Sequence, residues 1–185
     1  PEISRSFWEL VRKDPSTTPI MFENPKDMKR ATQIFERGNW LVKGDTVEAD
    51  VPHTLNAFPQ DAPHNRLGLA RWMTDPAHPL TARTIVNRIW EQLFGIGLAE
   101  TVEDLGTQGI PPTHPELLDH LAWKFMHEYN WSLKHLMREI VLSATYQQTS
   151  DVREELLEKD PFNKLYARAP RIRLSAEQLR DQALS

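Results

Sequence analysis

The chain has 185 residues, a length that fits one domain of ordinary size with an irregular arm and leaves little room for two full domains. With 39% hydrophobic residues, 26% charged residues and six tryptophans it can bury a core large enough to exclude global disorder. A formal charge of −4 argues against nucleic acid as a partner, and zero cysteines exclude a disulfide, a thiolate metal site, a cysteine nucleophile and covalent c-type haem attachment within these residues.

Residues 1–64 read as an extended arm. A short helix is expected over residues 6–12, Pro15, Pro19 and Pro25 interrupt the segment after it, and residues 56–63 are again turn-rich. Between them, residues 31–36 and 46–51 carry enough branched side chains for two short strands separated by Gly38 and Gly44, so a small β-hairpin is expected.

Helical periods begin at Asn65. Leu69, Trp72 and Met73, at i, i+3 and i+4, predict a helix over residues 65–74 that stops near Asp75-Pro76. The next runs from after Pro79 to about Phe94, burying Ala82, Ile85, Ile89 and Leu93, with Gly95 as a left-handed cap. Thr113 with Glu116, and Pro115 in the first turn, read as a capping box opening a helix to about Tyr129 with Leu118, Leu121, Ala122, Phe125 and Tyr129 inward. Ser132 caps another, whose apolar face is Leu133, Leu136, Met137, Ile140, Val141 and Ala144. Asp151 with Glu154, and Ser175 with Gln178, open two more, the last expected to be cut off mid-element at Ser185. The expected fold is mainly α: an irregular or orthogonal bundle of about four to six helices over residues 65–185, preceded by the arm and its hairpin.

Residues 103–114 carry the most suggestive chemistry. Asp104, Gln108 and His114 sit among Gly106, Gly109, Pro111 and Pro112, and loops of this kind placed by rigid helices commonly hold binding groups. A carboxylate with a histidine is a candidate acid-base pair; the plainer reading is that Asp104 and Gln108 tie loop amides while His114 precedes a helix. Asn87 and Arg88 interrupt an apolar helix, so one of them is expected to reach inward and be hydrogen-bonded, and an Arg88–Asp104 pair would join helix to loop. Glu116 and His120, at i, i+4, are weak candidates for a metal; the metalloprotease pattern is absent, a solvated helical face is the plainer account, and no metal site is expected.

Arg168, Arg171, Arg173 and Arg180 form the basic concentration. Arg171 and Arg173 are candidates for binding an anionic sugar, a phosphate or an acidic protein surface, against pairing with Glu154, Glu155, Glu158 and Asp160 within the fold. Trp8, Trp40 and Trp131 lie off the core stripes and are candidates for stacking on sugar rings, against burial in core or interface. No run approaches the roughly 20 apolar residues of a bilayer-crossing helix, so no membrane insertion is expected, and residues 1–10 lack the pattern of a signal peptide.

A set of ordered strings resembles a known family. They include Phe35-Glu36-Arg37-Gly38, Asn65-Arg66-Leu67-Gly68-Leu69-Ala70-Arg71-Trp72, Pro79-Leu80-Thr81-Ala82-Arg83, Val86-Asn87-Arg88-Ile89-Trp90 and Glu103-Asp104-Leu105-Gly106-Thr107-Gln108-Gly109. Pro112-Thr113-His114-Pro115-Glu116-Leu117-Leu118-Asp119, Ile140-Val141-Leu142-Ser143-Ala144-Thr145-Tyr146, Asp160-Pro161 and Arg173-Leu174-Ser175-Ala176-Glu177 continue the series. They resemble the planctomycete-type, cytochrome-associated C-terminal domain of unknown function. The resemblance implies a large exported bacterial protein, periplasmic or extracellular, in which haem c sits in an upstream domain and not in this chain. It supplies no catalytic residues, and its link to polysaccharide breakdown is associative.

The function expected first is a helical packing and interaction module that contacts the upstream domains of its own polypeptide in an assembly working on polysaccharide. The alternatives are an enzyme site completed by another domain, with Asp104 and His114 as acid and base and Arg88 holding an anion, and a carbohydrate-binding module using exposed tryptophan.

Overall fold

A computed structural model describes Trp8 and residues 21–184. The helix expected over residues 6–12 lies, Trp8 aside, outside the described residues. The hairpin is present: β1 (Thr32–Phe35) pairs antiparallel with β2 (Lys43–Val47), matching Thr32 to Val47, Gln33 to Thr46 and Phe35 to Lys43 across a bulge. The second strand therefore starts and ends earlier than its branched residues suggested, and Gly44 lies inside it. The cause is the connection, which closes tightly on itself through Asn39 N–H to Glu36 O and Val42 N–H to Asn39 O, so pairing resumes directly at Lys43. Ile34, Phe35, Trp40, Leu41 and Val42 stay exposed.

Asn65 opens α1 (Arg66–Met73), its side-chain oxygen accepting from the N–H groups of Leu67 and Gly68. The inward face differs from the expected one: Gly68 and Trp72 are buried while Leu69 and Met73 are exposed. The arm selects that face. Trp72 donates its indole N–H to Asn56 O, and Gly68 lies so close under Pro63 that a Cβ there would come within 1.9 Å of the proline carbonyl.

The core is built by α2 (Thr81–Phe94), α3 (Pro115–His127) and α4 (Leu133–Leu142), each packing on the other two. Val86, Trp90 and Phe94 of α2 meet Leu118, Leu121, Phe125, Leu136 and Ile140, and Leu98 and Tyr166 enter the same cluster from outside the helices. Ile85, Ile89 and Leu93, expected as the central stripe, are only partly buried flanks. The true centre is displaced by one residue, a rotation of about 100°, because the large rings of Trp90 and Phe94 fill the space between helices. Those rings stack with centroids 4.3 Å apart, and Tyr166 stands edge-on to both at 5.2 Å. Gly95 ends α2 at φ 80, the left-handed cap its position predicted.

The start of α3 departs from the expected capping box. His114, not Thr113, occupies the cap position, and both the N–H and the hydroxyl of Thr113 donate instead to Leu98 O. Ser132 caps α4 as predicted, accepting from His135 N–H, and Leu136 and Ile140 are sealed in while Leu133, Met137 and Ala144 face water. Lys124 joins α3 to α4, its ammonium reaching both oxygens of Glu139 at 2.8 and 2.9 Å, and that bond holds the lysine above its ordinary value.

Two shorter helices complete the chain, α5 (Glu154–Lys159) and α6 (Ala176–Leu184). Asp151 does not cap α5; its carboxylate accepts from the Thr149 hydroxyl, and Arg153 stands at the cap position. The Ser175–Gln178 box does form, in both directions, at 2.9 and 3.2 Å. Every residue of α6 is nonetheless exposed.

Candidate functional site

The candidate loop is set by the exit of α2. Asn87 is fully buried and clamps Ala99 through both atoms of its amide, while Gly97 passes so close that a Cβ would lie 2.6 Å from Ala99 O and 2.9 Å from Asn87 Oδ1. Asn87 is thus the inward-reaching polar residue of the expected pair. Arg88, one step further round the helix, is exposed and makes neither hydrogen bond nor ion pair among the described residues.

Tyr166 supports the loop from below. Its hydroxyl donates to Gly97 O at 3.0 Å, and burial pushes the phenol above its ordinary value against the pull of Trp90 and Thr113. The tyrosine is held in a left-handed backbone, φ 53, by a turn organised on Asp160. That buried carboxylate accepts from Lys164 N–H at 2.9 Å and Leu165 N–H at 2.7 Å, while Arg168 donates to the carbonyls of Asp160 and Pro161. Sequence reasoning missed this turn; Asp160-Pro161 was its visible trace. Above Tyr166 lies a cleft of about 180 Å³ between Ile96, Ile110 and Pro111, with the Lys164–Glu100 ion pair at 2.5 Å among its lining residues.

The proposed acid-base residues are not brought together. Asp104 is exposed and bonds within its own loop, its Oδ1 accepting from Gly106 N–H at 2.8 Å and its backbone oxygen from the Thr101 hydroxyl. His114 instead contacts the Thr113 hydroxyl through Nδ1 and leans on the Tyr166 ring at 5.6 Å. No hydrogen bond or ion pair links Asp104 to His114 or to Arg88, and Gln108 is exposed without a protein partner among the described residues. The arrangement can shape a loop but assembles no proton-transfer pair.

Glu116 and His120 are exposed on α3, and among the described residues no group of three histidine or acidic side chains is placed to hold a metal. Of the arginines, Arg168 is consumed by backbone carbonyls and Arg180 lies 3.9 Å from Asp181. Arg171 and Arg173 are exposed and pair with none of the acidic residues of α5. Trp8 and Trp40 are exposed, and Trp131 is half-buried against Phe125. A second, wide hollow of about 1300 Å³ lies between hairpin, arm and α1, crossed by the Glu23–Arg66 pair at 2.9 Å.

A further functional-looking residue is structural. His78 is buried beside Trp72, and from two residues before the cap position, Leu80, its Nδ1 accepts from the N–H groups of Leu80 and Thr81, satisfying the first free N–H of α2. Burial lowers its pKa, with Asp75 pulling the other way.

A mainly α domain with this loop-and-turn architecture matches a family model. Residues 65–185 match the family PSD1, described as a protein of unknown function (DUF1553), and the chain belongs to that family. No curated protein and no solved structure matches it. No helix among the described residues is long and apolar enough to cross a membrane.

Proposed function

We propose that the chain is a docking module, held by a rigid three-helix core and joined through its C-terminal segment to other domains of the same polypeptide. Its setting in this reading is an exported bacterial protein with an upstream c-type haem domain, engaged in polysaccharide processing. Support for the setting comes from the ordered motifs shared with that family of proteins. Support for docking comes from the molecule itself.

The observation that carries the reading is α6. Leu179 and Leu184 are 50% and 72% exposed, and Ile172 and Leu174 on the approach to it are 42% and 39% exposed. A helix with no packed face is marginal in water, since most helical stability in proteins comes from packing of an apolar side, and every described residue of α6 is exposed. A partner surface supplies that face. The acid-base alternative has no comparable support, because Asp104 is engaged within its own loop and His114 rests on Tyr166.

The test is binding between this chain and the separately expressed upstream domains, measured by calorimetry. Wild type is expected to bind, and Leu179→Asp with Leu184→Asp to weaken binding by at least about tenfold, the effect of removing anchors from an interface centre. Absence of binding, or binding indifferent to both substitutions, would overturn the proposal.

A further inference from the structure

We infer that residues 171–174 form an open strand edge that takes an extended acidic peptide segment carrying carboxylates at alternate positions. The inference rests on the docking reading and deepens it by naming the chemistry of the partner.

Three observations converge. Residues 171–174 run without turn, bend or helix, and no hydrogen bond to the described residues engages their N–H or carbonyl groups. The chain is tied to the body just before this stretch, by Ala169 N–H donating to Thr149 O, and the local Ser175–Gln178 box turns it into α6 just after. Arginine and aliphatic residues alternate along it: Ile172 rests against Gly95, where a Cβ would meet its Cγ2 at 2.6 Å, while Arg171 and Arg173 are exposed and without a carboxylate partner among the described residues.

An anion alone would answer the guanidinium groups and leave the backbone bare. A peptide strand answers both. Guanidinium groups two residues apart on an extended chain are about 7 Å apart along its axis, the spacing of carboxylates at alternate positions on an adjacent strand. Each such pair can be bidentate, and the ladder adds main-chain hydrogen bonds of the kind seen when a peptide is added to a sheet edge.

The experiment uses this chain and the labelled peptide acetyl-Glu-Val-Glu-Val-Glu-amide, followed by fluorescence anisotropy and by amide shifts at residues 171–174. The acidic peptide is expected to bind. Arg171→Glu with Arg173→Glu is expected to weaken it by at least about tenfold with the helical circular dichroism unchanged. Methylating alternate peptide nitrogens, which removes donors and keeps charge, is expected to abolish it. Equal binding of the methylated peptide, or displacement by inorganic phosphate or glucuronate at like concentration, would overturn the strand reading. No binding of the acidic peptide overturns it as well. If the peptide fails while the upstream domains still bind in a manner sensitive to Leu179 and Leu184, this inference falls and docking stands; if the domains fail too, both fall.

Discussion

Asn87 and Ala99 hold each other through both polar atoms of one side chain, Nδ2 donating to the Ala99 carbonyl and Oδ1 accepting from its N–H, each at 2.9 Å and out of reach of water. The clamp orders the crossing that Tyr166 supports. Asn87→Asp removes the donor and buries a charge against a carbonyl, and is expected to cost at least about 3 kcal/mol. Neighbouring Arg88→Ala is expected to change stability by less than about 0.5 kcal/mol. Urea unfolding of the two variants measures the contrast, and comparable losses would show the clamp to be dispensable.

His78 makes stability depend on pH in a defined direction. Its folded pKa is lowered from 6.5, so the unfolded chain binds the proton more readily. The stability it contributes is complete above about pH 7 and is lost as pH falls through 6.5 toward the folded value. Protonated Nδ1 can no longer accept from Leu80 and Thr81, and the charge also opposes the helix dipole. His78→Asn keeps an acceptor and removes the titration. The melting temperature of wild type relative to that variant is expected to fall between about pH 7 and pH 5; a flat difference would contradict the capping role.

Asp104 and His114 are expected to act independently. Asp104→Ala loses one turn-forming hydrogen bond, a cost of about 0.5–1.5 kcal/mol, and His114→Ala a partial ring contact. A double-mutant cycle in unfolding free energy is expected to be additive within about 0.5 kcal/mol. Coupling well beyond that would show the pair to be joined after all.

Asp160→Asn tests the turn beneath Tyr166. It turns one of two acceptor oxygens, each bonded to a separate backbone N–H, into an amide nitrogen that only donates, and a loss of about 1–3 kcal/mol is expected, together with increased exposure of the Tyr166 phenol to solvent quenching. Stability lost without any change at the tyrosine would separate the turn from the site.

Much of this fold is legible in the sequence, and the departures have physical causes. The Asn65, Gly95 and Ser132 signals act within a few residues of themselves, so local chemistry decides them. The inward stripe of α2 is different: Ile85, Ile89, Leu93 and Val86, Trp90, Phe94 are both apolar rows, and only the neighbouring helices choose the second. Thr113 had the chemistry of a cap, yet Leu98 O, 15 residues earlier in the chain, outcompetes the helix for it. His78 carried no recognisable capping signature because a ring nitrogen performs the task. Asp104 was legible as a residue that ties loop amides, and it does so at Gly106 N–H, whereas Gln108, given the same role, has no protein partner among the described residues. The Asp160 turn joins residues to a loop some seventy positions away, Tyr166 to Gly97, and no periodicity reports such a bond.

The anchoring of Tyr166 under the α2 exit also decides how tension would travel. A pull applied along the chain beyond residue 170 meets the Ala169–Thr149 backbone bond first and then the Tyr166 ring seated against Trp90 and Phe94. Load on the tail is thereby divided between the segment that follows α4, at Thr149, and the exit of α2, at Gly97.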